Sequence, residues 1–293
     1  MHTVSDKTGD AILVVSFGTS YNDSREKTIG AIETAIADAF PKWSVRRAFT
    51  SRMIIRKLRE RDGYRVDSVE EALTHAREDG IRRLVLQPTH LMDGNEYMRV
   101  AETAAAWRSQ FDQLVLGVPL LGNENDDRAV MQIITADTQA CDDGETAICF
   151  MGHGSDAAAN AIYSDFQQRL HRAAYRNYYI GTVEADPTLE QLLALVRTGG
   201  NYKRVLLQPL MVVAGDHAHH DMAGEDDESW KRTFEKAGYE VTCIVKGLGE
   251  LRRYPEYLCQ PCEKLHQTDV MKGNLKLIFS YGMIKGRKTK WRL

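Results

Sequence analysis

Side chains able to bind a metal ion or move a proton gather at a few points in this chain: His90, Glu96, His153, Glu184, His217, His219 and His220. His153 lies in Gly152-His153-Gly154-Ser155, directly after the apolar run Thr146–Met151. A strand exit flanked by glycine allows close backbone approach and aims an imidazole at the space beyond the strand. A hydrogen-bonded turn histidine is the plain alternative. The second run is Gly215-Asp216-His217-Ala218-His219-His220-Asp221, at an expected helix start. On a helix, 217, 220 and 221 share a face while 219 points away. At most two of these histidines can therefore serve one site, and His217, nearest the preceding strand, is the best placed. A solvated helix start is the competing account, stronger for His219 and His220. Glu184 follows another strand, in Gly181-Thr182-Val183-Glu184. Two imidazoles and a carboxylate suit a divalent transition metal, but no two of the three share a short motif. Only the fold can bring them together.

The elements that must do so alternate along the chain. Apolar runs at 11–15 and 83–87, with strands near 44–49 and 114–117, are separated by helical stretches, the order of a doubly wound parallel sheet. Asp23 and Glu26 have capping-box spacing ahead of Ile29, Ile32, Ile36 and Phe40, and Ser68 with Glu71 opens a later helix. After Asp142-Asp143-Gly144 the pattern restarts, with strands at 146–151, 178–183, 204–208 and 239–245. Asp186-Pro187 is expected to open one helix of this half, and a polar helix is expected near 217–236.

The restart is an internal repeat. Leu86-Gln87-Pro88 matches Leu207-Gln208-Pro209, and a glycine sits six residues beyond each proline, Gly94 and Gly215. Phe17-Gly18-Thr19-Ser20 matches His153-Gly154-Ser155, so Phe17 is equivalent to His153 and Glu96 to His217. Two related α/β halves would form a cleft at the carboxyl ends of their strands. The expected division is 1–143 and 144–250, followed by a C-terminal segment, 251–293.

Composition limits the function classes. The 293 residues carry 38 Lys+Arg against 41 Asp+Glu, a net charge of −3, without the basic excess of a general nucleic-acid binder. No apolar run approaches the roughly 20 residues that span a bilayer. Met1–Asp10 is polar and unlike a signal peptide, so a cytoplasmic location is expected. Five cysteines cannot all pair, which fits reduced thiols. Nucleotide binding has no support, since neither a GxGxxG turn nor a P-loop is present. Cys259-Gln260-Pro261-Cys262 is a lone CxxC without a second pair.

With these residues in view, the chain resembles the sirohydrochlorin cobaltochelatases of anaerobic cobalamin synthesis, within the class II tetrapyrrole chelatases. The carrying segments are VVSFGTS (14–20), AFTSRMIIRKL (48–58), LQPTHLMDGNEY (86–97), FMGHGS (150–155), GTVEAD (181–186) and LQPLMVVAGDH (207–217). They run in order through about residues 11–250. The resemblance implies two similar α/β domains with parallel sheets facing across a central cleft. It also implies insertion of cobalt(II) into sirohydrochlorin with no organic cofactor, iron(II) or nickel(II) being possible substitutes in vitro. Carried over by position, His153, Glu184 and His217 are the metal ligands, and His153 with Glu96 is catalytic. Phe17, Thr19, Ser20, Arg52 and Tyr97 are expected tetrapyrrole contacts. The partners implied are the tetrapyrrole and a divalent cation, with homo-oligomerisation left open and neither nucleic acid nor membrane involved.

This chemistry agrees with the residues. Metal insertion must strip water from the cation and remove two pyrrole protons; neutral imidazoles hold cobalt(II) loosely enough to release it, and a nearby His or Glu can accept a proton. Sirohydrochlorin carries eight carboxylates, so basic groups such as Arg52 and Arg99 must meet them locally. Iron insertion for sirohaem, or a non-catalytic tetrapyrrole or metal carrier, would use the same cleft. A metallohydrolase lacks its motifs here. After about Gly249 the chain departs from the family pattern.

Overall fold

In a computed structural model of the protein, residues 9–122, 124–251 and 254–255 are described. The CxxC and most of the C-terminal segment lie outside the described residues.

Two parallel sheets form the framework. The first takes β1 (Asp10–Ser16), β2 (Ser44–Phe49), β3 (Asp67–Ser68), β4 (Arg83–Pro88) and β5 (Gln113–Leu116), in the order β3-β2-β1-β4-β5. The second takes β6 (Thr146–Gly152), β7 (Tyr178–Thr182), β8 (Arg204–Pro209) and β9 (Glu240–Cys243), in the order β7-β6-β8-β9. Strands covered on both faces need apolar residues throughout, which is why β1 and β6 are buried at every position.

The helices are α1 (Asn22–Arg25), α2 (Ala31–Ala39), α3 (Arg52–Asp62), α4 (Val69–Glu78), α5 (Asn95–Trp107), α6 (Glu124–Thr138), α7 (Ala161–Arg172), α8 (Leu189–Gly199) and α9 (Trp230–Lys236). Side chains alternate across the sheets. Ala11, Leu13 and Val15 pack with α4 and α5 on one face of the first, while Ala147, Cys149 and Met151 pack with α8 and α9 on one face of the second. The opposite faces, Ile12 and Val14 of β1 with Ile148 and Phe150 of β6, join one continuous core through α2, α6 and α7. Leu251 and Tyr254 enter that same core, and Gly249 lies against Thr28 of the first half.

The repeat extends to individual backbone bonds. Val15 is opposite Pro88 in one sheet and Met151 opposite Pro209 in the other. Thr89 N donates to Val15 O at 2.9 Å, and its counterpart Leu210 N to Met151 O at 2.8 Å. Thr50 N and Ser51 N bond Ser16 O and Phe17 O, just as Val183 N and Glu184 N bond Gly152 O and His153 O. Ser51 is thus the first half's equivalent of Glu184, and Arg52 follows it at the start of α3.

Local capping departs from expectation at three helices. Tyr21, not Asp23, precedes α1, with no side-chain cap. Asp23 is exposed and reaches Lys27 at 4.0 Å. Between α1 and α2 the helix widens into a π turn, Glu26–Gly30, which keeps Ile29 buried beside Ile54 and Leu58 of α3. The helix after β7 is opened by a Thr188–Gln191 capping box rather than by Asp186-Pro187. The polar helix expected near 217–236 is two pieces, a π turn at His217–Met222 and α9, which Ser229 caps. A cap must offer an oxygen to a free helix N–H, and Thr188 and Ser229 do so where the acidic and proline signals do not.

His90, just past β4, is half-buried, but both ring nitrogens are sealed from solvent without a hydrogen-bond partner among the described residues. Burial disfavours the imidazolium and lowers its pKa from 6.5 to about 4. The unfolded chain therefore takes up a proton on His90 that the folded chain refuses, so this contribution to stability is whole above pH 6.5 and lost as pH falls toward 4. We expect the urea midpoint to fall less steeply across that window in His90→Leu than in the unaltered protein. Equal slopes in both would exclude this account.

Candidate metal centre and adjoining cleft

Three adjacent strands of the second sheet, β7, β6 and β8, lie side by side, and each delivers one polar side chain at its carboxyl end. Glu184 comes from β7, His153 from β6 and His217 from the turn after β8. Each offers a ligand atom, and these atoms all lie within 4.8 Å of one another. His153 Nδ1 is 3.6 Å from Glu184 Oε2, and His217 Nε2 is 3.9 Å from Glu184 Oε1. The two imidazoles meet edge-on, with centroids 4.8 Å apart and planes at 81°. Bonds of about 2.0–2.2 Å to a divalent ion put neighbouring ligand atoms roughly 3–4 Å apart, so small side-chain movements complete the set.

Backbone geometry explains why His153 needs its glycines. A Cβ on Gly152 would fall 2.3 Å from the Tyr163 ring. Gly154 has φ +90°, and a Cβ there would approach Ala185 N to 2.9 Å. The same close approach lets Glu184 N donate to His153 O at 3.0 Å, locking the two ligand loops together. Gly18, with φ +98°, repeats this turn in the first half.

His217 opens a π turn, a wider helix often found at functional sites. Its Nδ1 meets Asp221 Oδ2 at 2.6 Å, which leaves Nε2 facing Glu184. A carboxylate on the far nitrogen fixes the ring and raises its basicity as a metal ligand. Asp221 is the residue that sequence reasoning missed; its four-residue spacing from His217 was the available signal. His219 and His220 stand apart from the metal group. His219 lies flat against Tyr21, with centroids 4.6 Å apart and planes at 10°, and His220 Nδ1 sits 3.3 Å from Asp216 O. Tyr21 Oη donates to Asp216 Oδ1 at 2.8 Å, tying the first half to the turn that carries His217. Partial burial and the Asp216 carboxylate push the Tyr21 phenol up to about 12.

The first half's equivalents of the three ligands are Phe17, Ser51 and Glu96, and they line a cavity of about 520 Å³ with Phe49, Arg52 and Arg99. Glu96 lies outside the three-residue metal group, and its carboxylate meets Arg99 at 3.1 Å. Phe17 bridges the two regions: it is 40% exposed, with its ring 6.2 Å from that of His153. The other expected contacts differ in presentation. Arg52 is exposed into the cavity. Thr19 and Ser20 are buried, Thr19 Oγ1 accepting from Tyr21 N and facing Gly215 of the second half. Tyr97 Oη donates to Gly117 O at 3.0 Å within its own half. Among the described residues, Cys141, Cys149 and Cys243 are free thiols, and none belongs to the metal group. The acidic stretch 225–228 is exposed and pairs locally with Lys231 and Lys236.

Two related parallel sheets with two histidines and a glutamate at the strand ends define a chelatase-type α/β protein. The same architecture occurs in the solved structure of SirB from Bacillus subtilis with Fe3+, at TM-score 0.59 and 10% identity, covering 89% of this chain and 96% of that one. It also occurs in CbiX, described as the terminal enzyme for biosynthesis of sirohaem in denitrifying bacteria, at TM-score 0.51 and 13% identity, covering 87% and 98%. At such identities the likeness is one of fold alone. Residues 10–266 match the cobalt chelatase (CbiK) family. A sirohydrochlorin cobaltochelatase of Salmonella typhimurium is 41% identical over 242 residues, 82% of this chain and 90% of the relative. The sirohydrochlorin cobaltochelatase CbiKC of Nitratidesulfovibrio vulgaris is 32% identical over 245 residues, 83% and 86% of the two chains. This chain belongs to the CbiK family of cobalt chelatases.

Replacing Asp221 by Asn keeps the shape but removes the charge behind His217. The expected loss of cobalt(II) affinity is about 10- to 100-fold, measured by calorimetric titration. An unchanged affinity would show that Asp221 does not support His217 as a ligand.

Proposed function

We infer that this protein inserts cobalt(II) into sirohydrochlorin in cobalamin synthesis, replacing two pyrrole N–H protons by the metal and releasing both protons. The observation carrying this reading is the convergence of His153, Glu184 and His217 beside a cavity lined by Phe17, Arg52 and Glu96, in a chain of the cobalt chelatase family. Cobalt is here a substrate. His153, His217 and Glu184 receive it, and neutral nitrogen ligands with one carboxylate hold it loosely enough for the ion to leave for the macrocycle. Thiolates would retain it, and the three ligands include none.

The macrocycle enters between the two halves. Phe17 covers its apolar surface and Arg52 takes a peripheral carboxylate. Thr19, Ser20 and Tyr97 shape the wall behind them, an assignment supported by their burial and hydrogen bonds. Each pyrrole proton needs an acceptor as its nitrogen turns toward the metal. His153 serves on the metal side, and Glu96, across Phe17, serves on the other. The reaction needs no nucleotide or other organic cofactor, and we place it in the cytoplasm. The halves 1–143 and 144–250 act as one unit, with their shared core holding the two walls in register.

Turnover tests the reading. Purified protein with sirohydrochlorin and cobalt(II) should shift the macrocycle's absorption well above the uncatalysed rate. His153→Ala and His217→Ala should each reduce that rate at least a hundredfold while leaving the far-ultraviolet circular dichroism unchanged. No acceleration by the unaltered protein would leave a carrier as the better account. Full activity in both variants would move the site elsewhere.

A further inference from the structure

The outward face of α3 borders the cleft and differs in charge from the rest of the chain. This helix carries Arg52, Arg56, Lys57, Arg59 and Arg61 against Glu60 and Asp62, in a protein whose net charge is −3. Its inner face is fixed: Ile54 and Leu58 pack with Ile29 and Phe49, and Val213 from the second half closes on the same cluster. Four-residue spacing then sets Arg52 with Arg56, and Met53 with Lys57, as neighbours on the outer face. All four side chains are exposed, Met53 at 62%.

Both ends of this stripe reach the neighbourhood of the metal ligands. Arg52 shares the 520 Å³ cavity with Phe17, whose ring lies 6.2 Å from His153. Lys57 Nζ is 4.0 Å from Asp216 Oδ2, one residue before His217. Met53, Arg56 and Lys57 line a second hollow of about 390 Å³. Arg52 and Arg56 have no hydrogen-bond or ion-pair partner among the described residues, so their guanidinium groups are available to a ligand.

We propose that Arg52, Arg56 and Lys57 form a carboxylate-reading wall for the tetrapyrrole, with Met53 and Phe17 covering its apolar body. The proposal rests on the tetrapyrrole reading above and adds the residues that select this substrate. From residue 52 to 57 the helix rises about 7.5 Å, enough for its cations to meet different peripheral side chains of one macrocycle. Arginine suits this task because its planar fork can bind a carboxylate through two parallel hydrogen bonds. The wall selects tetrapyrroles with many carboxylates over porphyrins with two.

The test compares Arg56→Gln and the double variant Arg52→Gln/Arg56→Gln with the unaltered protein and with Arg197→Gln, an exposed arginine on α8. Steady-state rates are measured with sirohydrochlorin and cobalt(II) across a range of ionic strength. We expect KM for sirohydrochlorin to rise about tenfold for each arginine removed, with kcat and the KM for cobalt(II) unchanged. The fall of kcat/KM with added salt should flatten in both variants, while Arg197→Gln matches the unaltered protein. An unchanged KM and salt dependence in the double variant would overturn the wall, as would a rise confined to the cobalt KM. The unaltered protein's own turnover separates this outcome from failure of the chelatase reading.

Discussion

Parallel pairing of β7, β6 and β8 sets the spacing on which the metal group depends. Adjacent strands lie about 4.8 Å apart, and Glu184, His153 and His217 leave three neighbouring strands at the same edge. Because the strands are parallel, their carboxyl ends point the same way, and three loops distant in sequence emerge together. The bond from Glu184 N to His153 O then fixes the first two loops at 3.0 Å. Among the described residues no backbone bond from a neighbouring ligand loop ties down His217, which is reached by a longer connection. Its position is secured from two sides instead, by Asp221 on its own turn and by the Tyr21–Asp216 contact from the other half.

The first half has the same backbone bonds and a different set of side chains. Phe17, Ser51 and Glu96 stand where the second half has His153, Glu184 and His217, and the intervening turns both require a left-handed glycine. One scaffold thus supplies a wall with two histidines and a glutamate and another with an aromatic face, a carboxylate and exposed arginines. The two walls are chemically complementary for a flat anionic ring that must be held on one side and metallated from the other. A symmetric pair of metal sites would have to desolvate two ions and would leave no surface for the macrocycle.

All strands but the two-residue β3, and their order of alternation, were legible because each rests on a local signal, and the three residues gathered at the strand ends were each visible beside a strand exit. Apolar runs of strand length end in glycine or proline, and the Leu-Gln-Pro repeat fixes how the halves correspond. Ser68 and Glu71 form the expected capping box. What was not legible depends on partners distant in sequence. The π turns at 26–30 and 217–222 follow from packing rather than from composition. Thr19 and Ser20 look like ligand contacts in a strand-end turn, yet both are buried. His219 looked merely solvated, but Tyr21, nearly two hundred residues away, stacks on it. Asp221 was visible at the right spacing, and only the ring orientation of His217 reveals its use.

Net charge misleads at this site for a physical reason. Exposed charges act over about a Debye length, roughly 8–10 Å in physiological salt, so an incoming polyanion responds to the cleft rather than to the whole chain. Many of the acidic groups are paired locally, as in Asp10 with Arg83, Glu33 with Arg47 and Asp143 with Arg204. Among the described residues Arg52 and Arg56 have no such partner, on a helix whose Lys57 reaches Asp216 beside the metal group. The metal group draws on the opposite charge set. Glu184 and Asp221 set negative charge beside the histidines, which favours a divalent ion, while the positive groups belong to α3. An enzyme that must gather a cation and a polyanion into one cleft needs that separation, because mixing the two charge sets would pair them with each other and leave neither substrate a site.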